Sequence, residues 1–122
     1  MGNPVGWFEI YVNDMARARA FYEALLGVTL TPLESLGMEL WAFTRDAAMY
    51  GASGALVRMD GFSAGRNSVL VYFSCDDCAV EAARAVAAGG QLHQAKMSIG
   101  QYGHIALVID TEGNMIGLHS MG

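Results

Sequence analysis

The sequence has 122 residues, of which 53% are hydrophobic, and its formal net charge is −5. This length fits one compact domain, and the charge argues against partners that need a basic surface, namely nucleic acid and anionic membranes. The N-terminus lacks the basic start and apolar stretch of a secretory signal, so we take the cytoplasm as the default location.

The first half of the chain predicts a strand, a helix and three further strands. Aromatic and β-branched residues predict a strand over 5–12, and Asp14 then caps a helix that Gly27 ends. Three strands follow at residues 28–33, 38–43 and 54–59, with a turn at 34–37.

The same order of elements returns after a glycine-rich segment, residues 61–67, which we interpret as a linker. A strand over 68–74 leads to a helix that Asp76 or Asp77 caps and Gly89 ends. Strands are then predicted at 91–97, 104–110 and 115–120, with a tight turn at 111–114.

This repeated order predicts an α+β fold in which two βαβββ modules, residues 1–60 and 68–122, form a single domain over 1–122. A module of about 60 residues buries little core by itself. We therefore expect the two modules to place curved mixed sheets around a shared cavity, where a small ligand can bind.

Four short motifs resemble those of the vicinal oxygen chelate superfamily, which includes glyoxalase I, bleomycin-resistance proteins and extradiol dioxygenases. They are V-x-D (Val12, Asp14), FY (Phe21, Tyr22), LLG (residues 25–27) and D-x-x-G-N (Asp110, Gly113, Asn114). The resemblance covers essentially the whole chain. It implies a small-molecule ligand in the sheet cavity and a homodimer, but because one scaffold hosts many chemistries it does not identify a reaction.

The catalytic members implied by this resemblance hold one divalent metal with His, Gln or Glu side chains from the first and last strands of each half. In this chain Trp7 and Gly117 stand at the two positions that can be matched by motif. Strands 54–59 and 68–74 contain no His, Glu or Gln. We therefore predict no metal ligands and no cofactor, with a displaced set of Glu9, His104 and His119 as the alternative.

A carboxylate lies in the middle of the first predicted strand. Because side chains alternate along a strand, Trp7, Glu9 and Tyr11 share one face, and the apolar residues between them share the other. We expect the face with Glu9 to line the cavity, and Trp41 could extend the same lining. A carboxylate in such a place needs a hydrogen bond, an ion pair or a proton. It either locks two strands together or contacts a ligand.

These observations favour a metal-free binding protein for a small, aromatic molecule. The predicted ligand contacts are Trp7, Glu9, Tyr11, Trp41, Tyr72, His104 and His119. The alternative is a lyase, isomerase or dioxygenase with Glu9 as the catalytic general base, with or without a non-standard metal site. A third hypothesis is an interaction module without a ligand.

The two cysteines form a C-x-x-C motif at residues 75–78. A structural zinc site needs four ligands, and no second motif of this kind is present. We therefore expect two reduced cysteines rather than a metal site or a redox pair.

Overall fold

The computed structural model describes residues 3, 5–34, 37–65, 67 and 69–122. The first half contains β1 (Phe8–Tyr11), α1 (Met15–Leu26), β2 (Thr31–Leu33), β3 (Glu39–Ala42) and β4 (Gly54–Arg58). The second half contains β5 (Tyr72–Ser74), α2 (Cys78–Ala87), β6 (Gln91–Ser98), a 3-10 turn (Gly100–Tyr102), β7 (His104–Ile109) and β8 (Met115–Ser120). The predicted α+β fold with two βαβββ modules is confirmed.

The strands form two open, mixed sheets of four strands, with the orders β1-β4-β3-β2 and β5-β8-β7-β6. In each half the first strand runs parallel to the last, and the other neighbours are antiparallel. The predicted turn at 34–37, the linker 61–67 and the strand from 68 each include positions (35, 36, 66 and 68) that lie outside the described residues.

Both helices begin where local sequence signals predict, and α1 also ends there, whereas α2 ends at Ala87 with Ala88 as its C-cap, just before the predicted Gly89. Asp14 caps α1 by accepting a hydrogen bond from the Arg17 backbone, and Gly27 ends it in the left-handed conformation, at φ 66°. In the second half it is Asp77, and not Asp76, that caps α2. Neither helix of the described residues is long and apolar enough to cross a membrane.

Some predicted strands are shorter in the structure than in the sequence pattern. The strand expected from residue 28 begins only at Thr31. The reason lies just before it, where the Leu30 backbone N–H donates to the carboxylate of Glu23, 2.9 Å away, instead of to a neighbouring strand. The Glu23 side chain of α1 therefore takes the backbone N–H of Leu30 that strand pairing would use, and β2 begins at the next residue.

The two modules share one interior, as their small size requires. The Tyr22 ring of α1 lies 5.8 Å from Phe43 of the first half and 6.1 Å from Phe73 of the second, measured between ring centroids. Both helices contribute fully buried side chains to the same cluster, such as Leu25 and Cys78. Neither half therefore has an apolar core of its own.

A buried carboxylate connects the second module to the helix of the first. Asp110 accepts hydrogen bonds from the Tyr22 hydroxyl at 2.5 Å and from the backbone N–H groups of Glu112 and Asn114, each at 2.8 Å. Burial, together with the charge and the hydrogen bond of Asp110, raises the pKa of Tyr22 well above its ordinary value. Tyr22 is therefore a permanent donor, and the FY and D-x-x-G-N motifs meet here in the fold.

A second carboxylate reaches the N-terminus of the same helix. The Glu112 side chain, which is fully buried, accepts from the backbone N–H groups of Asn13 (2.9 Å) and Asp14 (2.8 Å). It also forms a two-pronged ion pair with Arg17, with N···O distances of 2.6 and 3.0 Å. Because two charge-assisted pairs of this geometry are directional, they set the position of one module on the other.

Candidate functional site

The carboxylate of Glu9 lies between two aromatic donors, Trp7 just before β1 and Tyr11 at the end of β1. Trp7 Nε1 donates to one Glu9 oxygen and the Tyr11 hydroxyl donates to the other, each at 3.3 Å. The predicted common face of Trp7, Glu9 and Tyr11 is therefore what the structure shows. Both hydrogen bonds stay within one strand, so they do not lock two strands together.

The Glu9 side chain remains exposed to solvent despite these two bonds. In the part of the chain that the structure describes, no Lys, Arg or His forms an ion pair with it. Tyr11 is partly buried, and this burial, followed by the charge and the hydrogen bond of Glu9, raises its pKa above the ordinary phenol value. The Tyr11 hydroxyl is thus protonated at neutral pH and acts as a donor.

A cavity of about 310 Å³ opens beside Glu9, at the junction of the two halves. Its walls come from β1, the segment after β4, and the start of β8, and include Glu9, Tyr11, Phe62, Asn67, Val69 and Met115. The Phe62 ring stacks on Tyr11 at 5.6 Å between centroids. The sequence assigned residues 61–67 only to a linker, and no local signal indicates that this segment forms a wall.

The segment after β4 is held in place by two asparagines. Asn13 accepts a hydrogen bond from the Ala64 backbone at 3.0 Å, and Asn114 accepts one from the Gly65 backbone at 2.7 Å. Asn114 also donates to the Tyr11 carbonyl oxygen at 3.0 Å. Residues of both modules thus fix the roof of the cavity next to Tyr11.

Trp41 lies on the opposite face of the first sheet from Glu9. It pairs in register with Leu56, which belongs to the helix-side core, and the Arg19 guanidinium of α1 lies 3.4 Å from the centre of its ring. The expected common lining of Glu9 and Trp41 is therefore corrected. Glu39 accepts a hydrogen bond from Trp41 Nε1 at 3.3 Å, as Glu9 does from Trp7. This second pair lies on the opposite face of the sheet from Glu9 and its cavity.

The second half contributes an aromatic ring to the face that carries Glu9. Phe8 of β1 and Phe73 of β5 touch edge to face, with ring centroids 5.8 Å apart, so these two edge strands are neighbours. Both phenylalanines point to the helix-side core. By alternation Glu9 and Tyr72 lie on the other face of the neighbouring strands, which we call the open face.

The two predicted histidines do not join Glu9 in one site. His119 lies on the open face of the second sheet and donates from Nε2 to the Tyr102 carbonyl oxygen at 2.6 Å. His104 pairs in register with Ser120, whose hydroxyl accepts from the α2 backbone, and therefore points to the helix side. The structure separates the alternative metal set of Glu9, His104 and His119.

The residues at the metal positions implied by the superfamily do not fit a metal ion. Trp7 Nε1 is a donor that is already bonded to Glu9, and Gly117 has no side chain. Among the described residues, no group of three His, Cys, Asp or Glu side chains could hold an ion.

Both cysteines are free thiols. Burial, followed by the nearby charges of Glu81 and Cys78, raises the pKa of Cys75 to about 12. Because the thiolate is the reactive form, this environment disfavours redox chemistry at Cys75.

The paired βαβββ modules, with a cavity of about 310 Å³ at their junction, define the fold class. Residues 5–118 match the model of the Glyoxalase/Bleomycin resistance protein/Dioxygenase superfamily, and the chain belongs to this family. It is 32% identical over 109 residues to proteins of Mycobacterium bovis and Mycobacterium tuberculosis that carry the name "Putative glyoxylase CFP32". The match covers 88% of this chain and 40% of those relatives, so the chain spans about two fifths of their length.

Two solved structures illustrate the range of the fold. Glyoxalase I from Zea mays superposes with a TM-score of 0.77 at 19% identity, over 97% of this chain and 46% of that one. TnmS3, an antibiotic binding protein from Streptomyces sp. CB03234, superposes with a TM-score of 0.69 at 23% identity, over 97% of this chain and 95% of that one. At these identities the likeness shows the fold alone.

Proposed function

We propose that this protein binds a small organic cation in the cavity between its halves, with Glu9 as the group that recognises the charge and with no metal ion. The observation that carries this proposal is a carboxylate that two aromatic donors orient but leave open to the cavity and to solvent. A cavity of about 310 Å³ accommodates a molecule with one ring and a short side chain.

The chemistry of Glu9 favours a ligand that donates hydrogen bonds. An ionised carboxylate accepts at about four lone-pair positions, and Trp7 and Tyr11 occupy two of them. The remaining positions suit an ammonium or amidinium group, which the neighbouring aromatic faces also attract. The net charge of −5 adds a weak long-range attraction for cations.

The family supports a binding role. TnmS3 is described as an antibiotic binding protein, and it has the same fold at nearly the same length. The longer mycobacterial relatives bear the name of a glyoxylase instead. Binding and catalysis therefore both occur on this scaffold, and the site of this chain, without metal ligands at the matched positions, supports binding.

The alternative is an enzyme in which Glu9 is the general base. The 3.3 Å contact between the Tyr11 hydroxyl and Glu9 favours it, because a phenol beside a carboxylate could pass on a proton. The exposure of Glu9 argues against it, since water is not excluded from this carboxylate. We therefore rank it second.

The binding proposal is tested by substituting Glu9 and titrating a model cation. We expect phenethylamine to bind the wild-type protein, and Glu9→Gln to weaken that binding by about tenfold or more, because a charge-assisted hydrogen bond is lost. Amide chemical shifts in a two-dimensional NMR titration report both the affinity and the location. The neutral isostere 2-phenylethanol should bind the wild-type protein about as weakly as phenethylamine binds the variant.

Glu39→Gln is the matched control, because Glu39 accepts from Trp41 as Glu9 accepts from Trp7, but on the opposite face. It should leave the affinity for phenethylamine unchanged. Equal effects of the two substitutions, or equal affinities for the amine and the alcohol, would overturn the proposal. The proposal would also be overturned if the amide chemical shifts around Glu9 did not change at millimolar phenethylamine.

We also propose that two copies of the chain associate through their open faces. Trp7, Leu33, Tyr72 and Met97, at the edges of these faces, each expose 41–46% of their surface, which is a large exposure for apolar side chains. Sedimentation at micromolar concentration should reveal a species of twice the 13.0 kDa chain mass. A single species at the chain mass, at every concentration, would contradict the association.

A further inference from the structure

We infer that the Tyr11 hydroxyl makes this site selective for primary amines over quaternary ammonium ions. This inference rests on the proposed function and narrows its ligand class from organic cations to cations that carry N–H donors. Its basis is a pair of oxygen atoms, one from Glu9 and one from Tyr11, that lie 3.3 Å apart on residues of the cavity wall.

The two oxygens of the Glu9 carboxylate have different surroundings. Oε2 accepts a hydrogen bond from Trp7 Nε1, and Oε1 accepts one from the Tyr11 hydroxyl. Tyr11 lines the cavity together with Glu9, whereas Trp7 lies outside the wall that the described residues form. A ligand in the cavity therefore meets the edge of the carboxylate where Oε1 lies beside the Tyr11 oxygen.

The Tyr11 oxygen is an acceptor for a ligand because its own proton is already engaged. That proton is donated to Glu9, and burial, followed by the charge and the hydrogen bond of Glu9, raises the pKa of Tyr11 and keeps the proton in place at neutral pH. A phenol oxygen that donates still has lone pairs with which to accept. Because hydrogen bonds in a chain polarise one another, donation to a carboxylate makes this oxygen a better acceptor. Glu9 and Tyr11 thus offer two adjacent acceptors to one nitrogen.

Stacking fixes the Tyr11 hydroxyl and also limits what the ring itself can bind. The rings of Tyr11 and Phe62 lie 5.6 Å apart at an angle of 29°, so each covers one face of the other. Among the described residues these are the two aromatic rings of the wall, and Tyr72, whose ring rests on the backbone of Gly117, lies outside it. An aromatic cage for a quaternary ammonium ion surrounds the charge with free ring faces, and this wall does not supply such a cage.

A primary ammonium group and a trimethylammonium group carry the same charge but meet these oxygens differently. The ammonium group has three donors, so one nitrogen can bond to Glu9 Oε1 and to the Tyr11 oxygen together. Methylation removes all three donors and keeps the charge further from the carboxylate. Because Glu9 is exposed, water weakens the attraction that remains. Glu9 therefore recognises the charge of either ion, and Tyr11 distinguishes between them.

The test compares phenethylamine with N,N,N-trimethylphenethylammonium, which differ only in the methyl groups on nitrogen. We expect the wild-type protein to bind the primary amine about tenfold more tightly, because hydrogen bonds to a charged group are lost with the quaternary ion. Tyr11→Phe keeps the ring on Phe62 and removes the hydroxyl. It should weaken the binding of phenethylamine by about threefold to tenfold and leave the affinity for the quaternary ion unchanged. Two-dimensional NMR titrations measure both affinities.

Tyr50→Phe is the matched control, because Tyr50 is 89% exposed and lies in the loop before β4, away from this cavity. It should leave the preference for the primary amine as it is in the wild-type protein. A change in preference as large as that of Tyr11→Phe would overturn the assignment of the selectivity to Tyr11.

The outcomes separate this inference from the proposed function. If Glu9→Gln weakens both cations but Tyr11→Phe leaves the preference intact, selection by the hydroxyl is wrong and the cation site stands. Equal losses of both cations in Tyr11→Phe would likewise overturn the inference, because a damaged site does not discriminate. If neither cation binds the wild-type protein, the proposed function itself fails. Amide spectra establish that each variant is folded, and equal affinities of the wild-type protein for the two cations would overturn the inference without any substitution.

Discussion

Replacing Asp110 with alanine is expected to lower the free energy of unfolding by about 3–5 kcal/mol, because the change leaves several buried donors without an acceptor. The Tyr22 hydroxyl and the backbone N–H groups of Glu112 and Asn114 all donate to this carboxylate. All three donors belong to buried residues, since Tyr22, Glu112 and Asn114 are each less than 10% exposed. Urea unfolding followed by circular dichroism measures the change.

The matched control for this prediction is Asp60→Ala. The Asp60 side chain is 96% exposed and forms only a 3.5 Å contact with Arg58, so its loss should change stability by less than about 0.5 kcal/mol. Tyr22→Phe should fall between the two variants, because it removes one donor and leaves the backbone bonds of Asp110 in place. If Asp110→Ala were no more destabilising than Asp60→Ala, Asp110 would not be what connects the modules.

The second large effect is expected from Glu112→Gln, which should lower the free energy of unfolding by about 2–4 kcal/mol at neutral pH. The carboxylate accepts from Arg17, from the backbone of Asn13 and Asp14, and from the Thr111 hydroxyl. An amide side chain keeps only one acceptor oxygen and turns a donor group towards these donors. Urea unfolding at neutral pH measures this cost, with the exposed Glu39→Gln as the control.

The same residue predicts an acid dependence of stability. Burial alone would raise the pKa of Glu112, but the hydrogen bonds from Arg17, from the Asp14 and Asn13 backbone and from Thr111 outweigh it, so the pKa is lowered in the folded state. A lowered pKa stabilises the fold above the pKa of the unfolded chain, and this contribution is lost as the pH falls through the folded value. Wild-type stability should therefore decline below about pH 4.

Glu112→Gln lacks this titration, so its stability should fall less steeply between neutral pH and pH 3 than that of the wild-type protein. The quantity to compare is the slope of unfolding free energy against pH, from urea titrations at several pH values. Equal slopes for the two proteins would show that Glu112 does not carry the acid dependence. Because Arg17 is half exposed, we expect added salt to reduce the difference.

Local signals were sufficient to predict the helices and the faces of the first strand. Asp14 and Gly27 act on backbone groups within one turn of α1, so their effect does not depend on the rest of the chain. The common face of Trp7, Glu9 and Tyr11 follows from the two-residue period of any strand. The order of elements, repeated in both halves, was likewise enough to predict the α+β class.

The register between β3 and β4 decides on which face of the sheet Trp41 lies, and alternation along β3 alone cannot predict it. Alternation relates Trp41 to Glu39 along β3, but which face they take relative to Glu9 depends on the pairing of β3 with β4. In the structure Trp41 pairs with Leu56, and a shift by one residue would have put it on the open face. Nothing within the ELWAF segment itself specifies that register.

The sequence by itself determined the elements, the family and the presence of an aromatic-flanked carboxylate, because each depends on residues close together in the chain. Only the tertiary structure decided that Asp110 meets Tyr22, 88 residues away, and that the segment around Phe62 closes a cavity over Glu9. It also decided that Tyr72 rests on Gly117. Such contacts arise from how two modules pack to bury one shared core, and that packing depends on the whole chain at once.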